Sequence, residues 1–451
     1  KNLKYLNSRI NDEEKKIPLK TFKNHSWISL FISLLLPGSG QIFNRQYIKG
    51  LLLMSLNLFI IFSILMMTGA LSFEGLGISG LFKLKEIKYT SKITQTIYYD
   101  ARFLIIEGVL ATLFLTLSIV IYLSIAKDAF NNGKLLELGV RPKNNYELKK
   151  YFMDKGLPIA LSIPAFMLIL IIVVTPLAST IILAFTNYSG FNTPPGKPIE
   201  YVGFRNFGDI FSGEYARSFF YVSKWTVMWT ILATGGVIIT GVILAIIVDN
   251  PYVRGKKLWY IIFILPWAIP AFATTLFFGI AFNPGGFYNK WFKDVDFKNT
   301  IWLARSLIVL LQIWLGHSYI FLLVLGVKKS ISNDLYEAAA IDGASKNQQF
   351  FKITWPLILA QIVPILVGTM VFYFNNFGII YLFSSGGPIA ETLPGYPGAT
   401  DIIISFIFKL ATTQNNRVSL ASAFILFTSI FVVTPSAITF IRSNAFKKDG
   451  K

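Results

Sequence analysis

Uncharged stretches too long for any water-soluble core set the first constraint on this chain. Ile159–Phe185 and Ile231–Val248 run close to or beyond the 18 nearly uncharged residues that mark a bilayer crossing. A bilayer core offers no water to unpaired backbone groups. A chain that enters it must close its hydrogen bonds within helices or within a sealed barrel. A barrel would show alternating strands of about ten residues, and none can be read here. The expected fold is therefore an all-α polytopic membrane protein. Composition agrees, since 14% of residues are charged against about 25% in soluble domains.

Eight stretches are long enough to cross, at roughly 50–68, 103–126, 158–186, 222–248, 258–282, 301–325, 357–382 and 418–441. A ninth, Trp27–Leu36, has ten apolar residues before Pro37-Gly38-Ser39-Gly40. It is too short to span and reads as an interfacial or half-inserted helix. Charge sets the orientation. With the N-terminal tail in the cytoplasm, the inner loops (1–49, 127–157, 249–257, 326–356 and 442–451) hold 27 of the 42 Lys and Arg residues. Positive residues favour the inner side, so both ends of the chain are expected in the cytoplasm. The net charge of +19 is then a consequence of topology, and nucleic acid is not an expected partner. The tail KNLKYLNSRINDEEKK leads to no small-residue cleavage site, so no removable signal peptide is expected.

One polar island breaks the apolar pattern, EAAAIDGASKNQQFFKITWPLIL at residues 337–359. Ser332 or Asn333 can cap a helix to about Ile341 that stops at Gly343, where a left-handed turn is available. Ser345 with Gln348 is a capping box for a second helix, expected to end before Pro356. Leu335, Ala338, Ala339 and Asp342 recur at helical spacing on one side of the first helix. Small alanines on such a face let another protein's backbone approach closely. The bland alternative is an ordinary amphipathic connector.

Glu337-Ala338-Ala339, Asp342-Gly343-Ala344, Phe351, Ile353 and Pro356 resemble the EAA loop of binding-protein-dependent ABC importer permeases. "EYVGFRNF" (Glu200–Phe207), "ILPWAIP" (Ile264–Pro270), "NNFGIIYLFSSGGP" (Asn375–Pro388) and "GATDIIISFIFKL" (Gly398–Leu410) resemble the larger, MalF-type permease subunit of maltose/maltodextrin importers. The resemblance covers about residues 155–445. It implies a type I importer core of six helices preceded by two extra ones. The corresponding division is a cytoplasmic tail (1–26), an interfacial segment with two spans (27–150), a permease core (151–445) that includes the coupling loop 330–356, and a cytoplasmic tail (446–451). The large external domain of some relatives is missing, with only 187–221 in its place.

The resemblance further implies that Glu337, Ala338, Ala339, Asp342 and Gly343 couple the chain to an ATPase. It implies a bacterial cell membrane, a second (MalG-like) permease, an ATPase homodimer, an extracytoplasmic sugar-binding protein and an oligosaccharide as partners. Sugar recognition needs aromatic faces and neutral hydrogen-bonding groups, because charge within a bilayer is costly. Gln312, Leu315 and Tyr319 lie on one side of the sixth span, and Thr369, Tyr373 and Asn376 on one face of the seventh. By the resemblance these six are the sugar contacts. Gln312 and Tyr373 stand where the maltose permease has asparagines, which leaves another oligosaccharide open. His317 reads as a neutral packing residue, and Trp259, Trp291 and Trp302 as interfacial anchors.

Other chemistries find little to work with. An ion-coupled transporter needs an ionisable relay at depth, yet acids are nearly absent from the spans; Glu107 and Asp249 lie near their ends. Catalytic residues and metal ligands are not expected: there are no cysteines and two histidines. Gly255-Lys256-Lys257 fails the P-loop pattern. ATP and magnesium are therefore expected on the partner ATPase, with no cofactor bound by this chain.

Overall fold

A computed structural model describes residues 22–90, 96–143, 145–193, 197–292, 295–412 and 416–442. The C-terminal tail 446–451 and most of the tail 1–26 lie outside them. The chain falls into two compact units, the first to Ile182 together with Phe191–Tyr201, the second comprising Leu183–Gly190 and everything from Val202 onward.

The first unit begins with α1 (His25–Leu35), α2 (Ser39–Phe43), α3 (Tyr47–Ser55) and α4 (Asn57–Thr68), and continues with α5 (Ala101–Glu137). A short antiparallel pair, Ile87–Thr90 with Thr96–Tyr98, precedes α5. With 11 residues, α1 is about 16 Å long, roughly half a bilayer core. One side of it carries Ser26 and Ser29 and is clasped by α5. Glu137 Oε1 accepts from the Ser26 N–H and hydroxyl at 2.8 and 2.9 Å, and the Ser29 hydroxyl donates to the Ala129 carbonyl at 3.1 Å. From α2 and the turn after it, Gln41 and Asn44 donate to the Ile125 and Ala129 carbonyls, both at 2.8 Å. Trp27, Phe31 and Leu35 on the other side are exposed. The long helix α6 (Tyr146–Ala184) buries none of its apolar window within the chain.

The second unit is built on α7 (Ala216–Asp249) and α10 (Ile301–Ser330). Between them lie α8 (Lys256–Ala268) and α9 (Ala271–Ala281). After α10 come α11 (Asn333–Ile341), α12 (Lys346–Gln349), α13 (Trp355–Phe374), α14 (Phe377–Ser384), α15 (Ile403–Thr412) and α16 (Val418–Arg442). Small residues let α7 and α10 meet closely. A Cβ on Gly236 would fall 2.3 Å from Ile313, and one on Gly241 2.6 Å from Ile320. Trp225, Trp229, Val237, Ile308, Ile320 and Phe321 fill the seam between them. A second cluster gathers Phe219, Val222, Phe406, Leu410 and Phe424.

Among the described residues, six helices are long and apolar enough to cross a membrane, or seven if α8 and α9 form one span. The eighth expected span, 418–441, falls in α16, part of which lies outside the described side chains. Two expectations need correction. The stretch 258–282 is not one helix: α8 and α9 meet at a bend of 86°. Pro270 has no N–H to continue α8 and pushes Ile269 into an extended conformation (φ −93°, ψ 134°). The second loop helix, α12, does not end before Pro356. A π-helical turn at Phe350–Thr354 carries it directly into α13. The same device recurs within α6, where π turns at Phe152–Gly156 and Leu170–Val174 precede Pro158 and Pro176. Widening the helix just ahead of a proline relieves its clash with the previous turn. At the second of these turns the Thr175 hydroxyl donates to the Leu170 carbonyl at 3.0 Å.

Candidate functional site

A cavity of about 590 Å³ lies within the second unit, between α9, α10, α13 and α14. Its walls bring together all six residues expected to contact sugar: Gln312, Leu315, Tyr319, Thr369, Tyr373 and Asn376. The helix breaks explain how the cavity forms. Trp267 and Ala271 flank the α8–α9 bend, and Asn376 is the N-cap of α14, just past the end of α13. Interrupted membrane helices are tolerated where they line a cavity.

Polar groups on this surface are linked and neutral. Asn376 Nδ2 donates to Gln312 Oε1 at 2.7 Å. Gln312 is buried and its side chain also hydrogen-bonds that of Tyr373, so the amide pair is held in place and the Asn376 carbonyl oxygen remains as an acceptor for a ligand. The Thr369 hydroxyl donates to the Ile365 carbonyl at 2.9 Å, within its own helix. Tyr373 is only 5% exposed, and the Trp229 indole N–H holds its backbone carbonyl at 2.9 Å. Open aromatic faces come instead from Tyr319, Trp267 and Phe372, which are 45%, 61% and 63% exposed. The Trp267 and Tyr319 rings lie 6.4 Å apart and tilted. Among the described residues, no charged side chain lines the cavity.

Residue spacing alone missed Gly316, Trp267 and Phe372. A Cβ on Gly316 would sit 2.4 Å from the Tyr373 hydroxyl, so this glycine makes the room in which that hydroxyl stands. Trp267 lies in the quoted ILPWAIP stretch, but only the bend after it turns it to the cavity. His317 is not on the cavity wall. Its Nδ1 lies against the Ile313 and Trp314 carbonyls at 3.2 and 2.8 Å, and its ring meets Phe263 edge-on. The two acids near span ends serve structure. Glu107 accepts from the Phe73 and Glu74 N–H groups, and Asp249 pairs with Lys328 at 2.6 Å.

The polar loop forms a separate surface of the same unit. Ser332 caps α11 by accepting from the Asp334 N–H at 3.2 Å. Ser345 and Gln348 form the expected capping box, at 2.8 and 3.3 Å. Between them Gly343 has φ +80°. The Tyr336 and Thr354 hydroxyls lie 2.7 Å apart and pin α11 to the π turn. Glu337, Ala338 and Asp342 are exposed and Ala339 half-buried, with Leu335, Ile341 and Phe351 also facing out.

Beyond α14, the loop to α15 is locked from inside. Asp401 is fully buried and meets Lys409 Nζ at 2.6 Å, the Gly398 N–H at 2.6 Å and the Ser405 hydroxyl at 2.8 Å. Burial raises the carboxyl's pKa, while Lys409, Gly398 and Ser405 act to lower it.

The family of "binding-protein-dependent transport system inner membrane component" proteins matches residues 237–446. The galactooligosaccharides transport system permease protein GanP of Bacillus subtilis is 35% identical over 441 residues, covering 94% of this chain and 99% of GanP. The maltodextrin transport system permease protein MalC of Streptococcus pneumoniae is 35% identical over 429 residues, 91% of this chain and 95% of MalC. The maltose/maltodextrin transport system permease protein MalF of Escherichia coli is 31% identical over 284 residues, 59% of this chain and 54% of MalF. A crystal structure of a bacterial ABC transporter involved in the import of the acidic polysaccharide alginate contains a chain similar in fold. The TM-score is 0.53 at 23% identity, covering 67% of this chain and 99% of that one.

Proposed function

Because the chain belongs to the family of binding-protein-dependent transport system inner membrane components, we propose that it is one of two permease subunits of an ATP-driven importer of neutral oligosaccharides, maltodextrins foremost. The observation that carries this reading is the cavity at the helix breaks, with its Gln312–Asn376 amide pair, its open aromatic faces and no charged group among its described lining residues. Such a lining suits a ligand made of C–H faces and hydroxyls. The 35% identity to MalC supports maltodextrin. The equal identity to GanP over nearly its whole length supports a second reading, galactooligosaccharides.

On this reading a second permease completes the path, and an extracytoplasmic binding protein delivers the sugar. ATP and magnesium act on a paired ATPase, whose closure pushes on the exposed surface of α11 and α12. The π turn joins that surface to α13, which carries Thr369 and Tyr373, so movement of the loop reaches the cavity without a flexible joint. The deciding experiment is uptake by the complete complex in proteoliposomes, with maltotriose, a galactotriose and sodium ions as alternative cargoes. Expected is ATP-dependent maltotriose uptake exceeding galactotriose uptake. Uptake driven by an ion gradient without ATP would sink the proposal, and a preference for galactotriose would favour the second reading.

A further inference from the structure

A second pocket of about 400 Å³ lies toward the C-terminal ends of α9 and α14 and shares Leu382 with the cavity. On α9 the cavity takes Phe272 and Thr275, and the pocket takes Gly279 and Ile280. On α14 the cavity takes Gly378 and Ile379, and the pocket takes Phe383 and Ser384, with Leu382 lining both. From Phe272 to Ile280 is about 12 Å of helix. The two helices touch at the pocket, where a Cβ on Gly279 would lie 3.0 Å from the Phe383 carbonyl oxygen.

The pocket's chemistry differs from that of the cavity. Aliphatic surface from Leu276, Ile280 and Leu382 faces a polar rim of Asn283, Lys298 and Asn299. Lys298 Nζ donates to the Phe383 carbonyl at 2.6 Å and to Asn283 Oδ1 at 2.7 Å, which leaves its third hydrogen for a ligand. The Asn299 amide nitrogen donates to Asp296 at 2.8 Å, and its carbonyl oxygen is a further acceptor. An apolar strip beside amides and a tethered ammonium suits the hydroxylated edge and C–H face of a sugar ring.

The geometry points to a second saccharide subsite in this pocket, one that holds the later units of a chain whose first units occupy the cavity. It rests on the sugar reading of the cavity and deepens it. A disaccharide seated in the cavity stops short of Asn283 and Asn299, whereas a tetrasaccharide reaches them. This subunit therefore reads chain length along α9 and α14.

The test uses the complete complex in proteoliposomes with its binding protein, comparing maltose and maltotetraose uptake for the parent, Asn283→Leu and Asn299→Leu. Loss of one or two hydrogen bonds predicts about a five- to tenfold fall in maltotetraose uptake, with maltose within about twofold of the parent. Normal maltose uptake also shows that the variant subunit is assembled. Because Asn299 lies in an exposed loop, its replacement guards against a folding defect peculiar to Asn283→Leu. The subsite is overturned if both variants import both sugars like the parent, or if both lose the two sugars equally. If Tyr373→Ala impairs both sugars while the two leucine variants match the parent, the cavity reading stands and the second subsite falls. A parent complex that imports neither sugar overturns both.

Discussion

Tyr373 and Gly316 show how single positions shape the cavity. Tyr373 brings its hydroxyl into the space that Gly316 leaves open, while its ring packs against the α7–α10 seam. Truncating it to alanine removes both an apolar wall and a hydroxyl. The expected weakening of transport is about 1–3 kcal/mol, or about 5- to 150-fold, with capture by the binding protein unchanged. Trp302→Ala is the control: the side chain is 67% exposed on α10, and uptake should change by less than about twofold, within the ±0.5 kcal/mol usual for surface substitutions. A larger effect at Trp302 than at Tyr373 would mean that the polar face of α13 is packing alone. Gly316→Ala tests the other half of the contact. Its Cβ would fall 2.4 Å from the hydroxyl and 2.8 Å from Val237, an overpacking of about 1–3 kcal/mol. Uptake should fall about tenfold while the amount of subunit in the membrane is unchanged. Parent-like uptake would show that Tyr373 can shift freely.

At the scale of elements, the loop between α10 and α13 is the clearest case of a sequence pattern with a geometric consequence. Gly343 takes φ +80° with nothing within 4 Å of the place a Cβ would occupy. The constraint there is backbone conformation, not crowding. Gly343→Asn should therefore keep most activity, because asparagine enters the left-handed region readily, whereas Gly343→Val should not. The expected outcome for valine is severe loss of transport with normal insertion, and ATPase activity of the purified complex that no longer responds to sugar. If valine transports like asparagine, the turn is only a connector. Prolines act at this scale too: Pro270 breaks a helix, whereas Pro356 is absorbed by a π turn.

For the whole molecule, orientation is the property that the positive charges predict. Cysteines introduced singly at Ser8 and Ser345 should be labelled only by a reagent with access to the cytoplasm, measured in intact cells and in inverted vesicles. Labelling of Ser8 from outside would mean that α1 crosses the bilayer after all.

The sequence by itself determined the class of fold, the polar loop with its two caps and its glycine, and the two helical faces from which the cavity is lined. These are local: they depend on side chains three or four residues apart, on capping, and on the intolerance of a bilayer for unpaired polar groups. What only the tertiary structure decided was which of those residues face an opening. Tyr373 and Gln312 turned out buried, Tyr319 open, and Trp267 joined the site because the bend before Pro270 turned it there. At Pro270 the helix breaks and at Pro356 it widens into a π turn, two outcomes open to any proline that the residue type alone does not choose between. Close approach at Gly316, Gly236 and Gly241 is set by side chains more than 50 residues distant in the chain, and no local pattern encodes that distance.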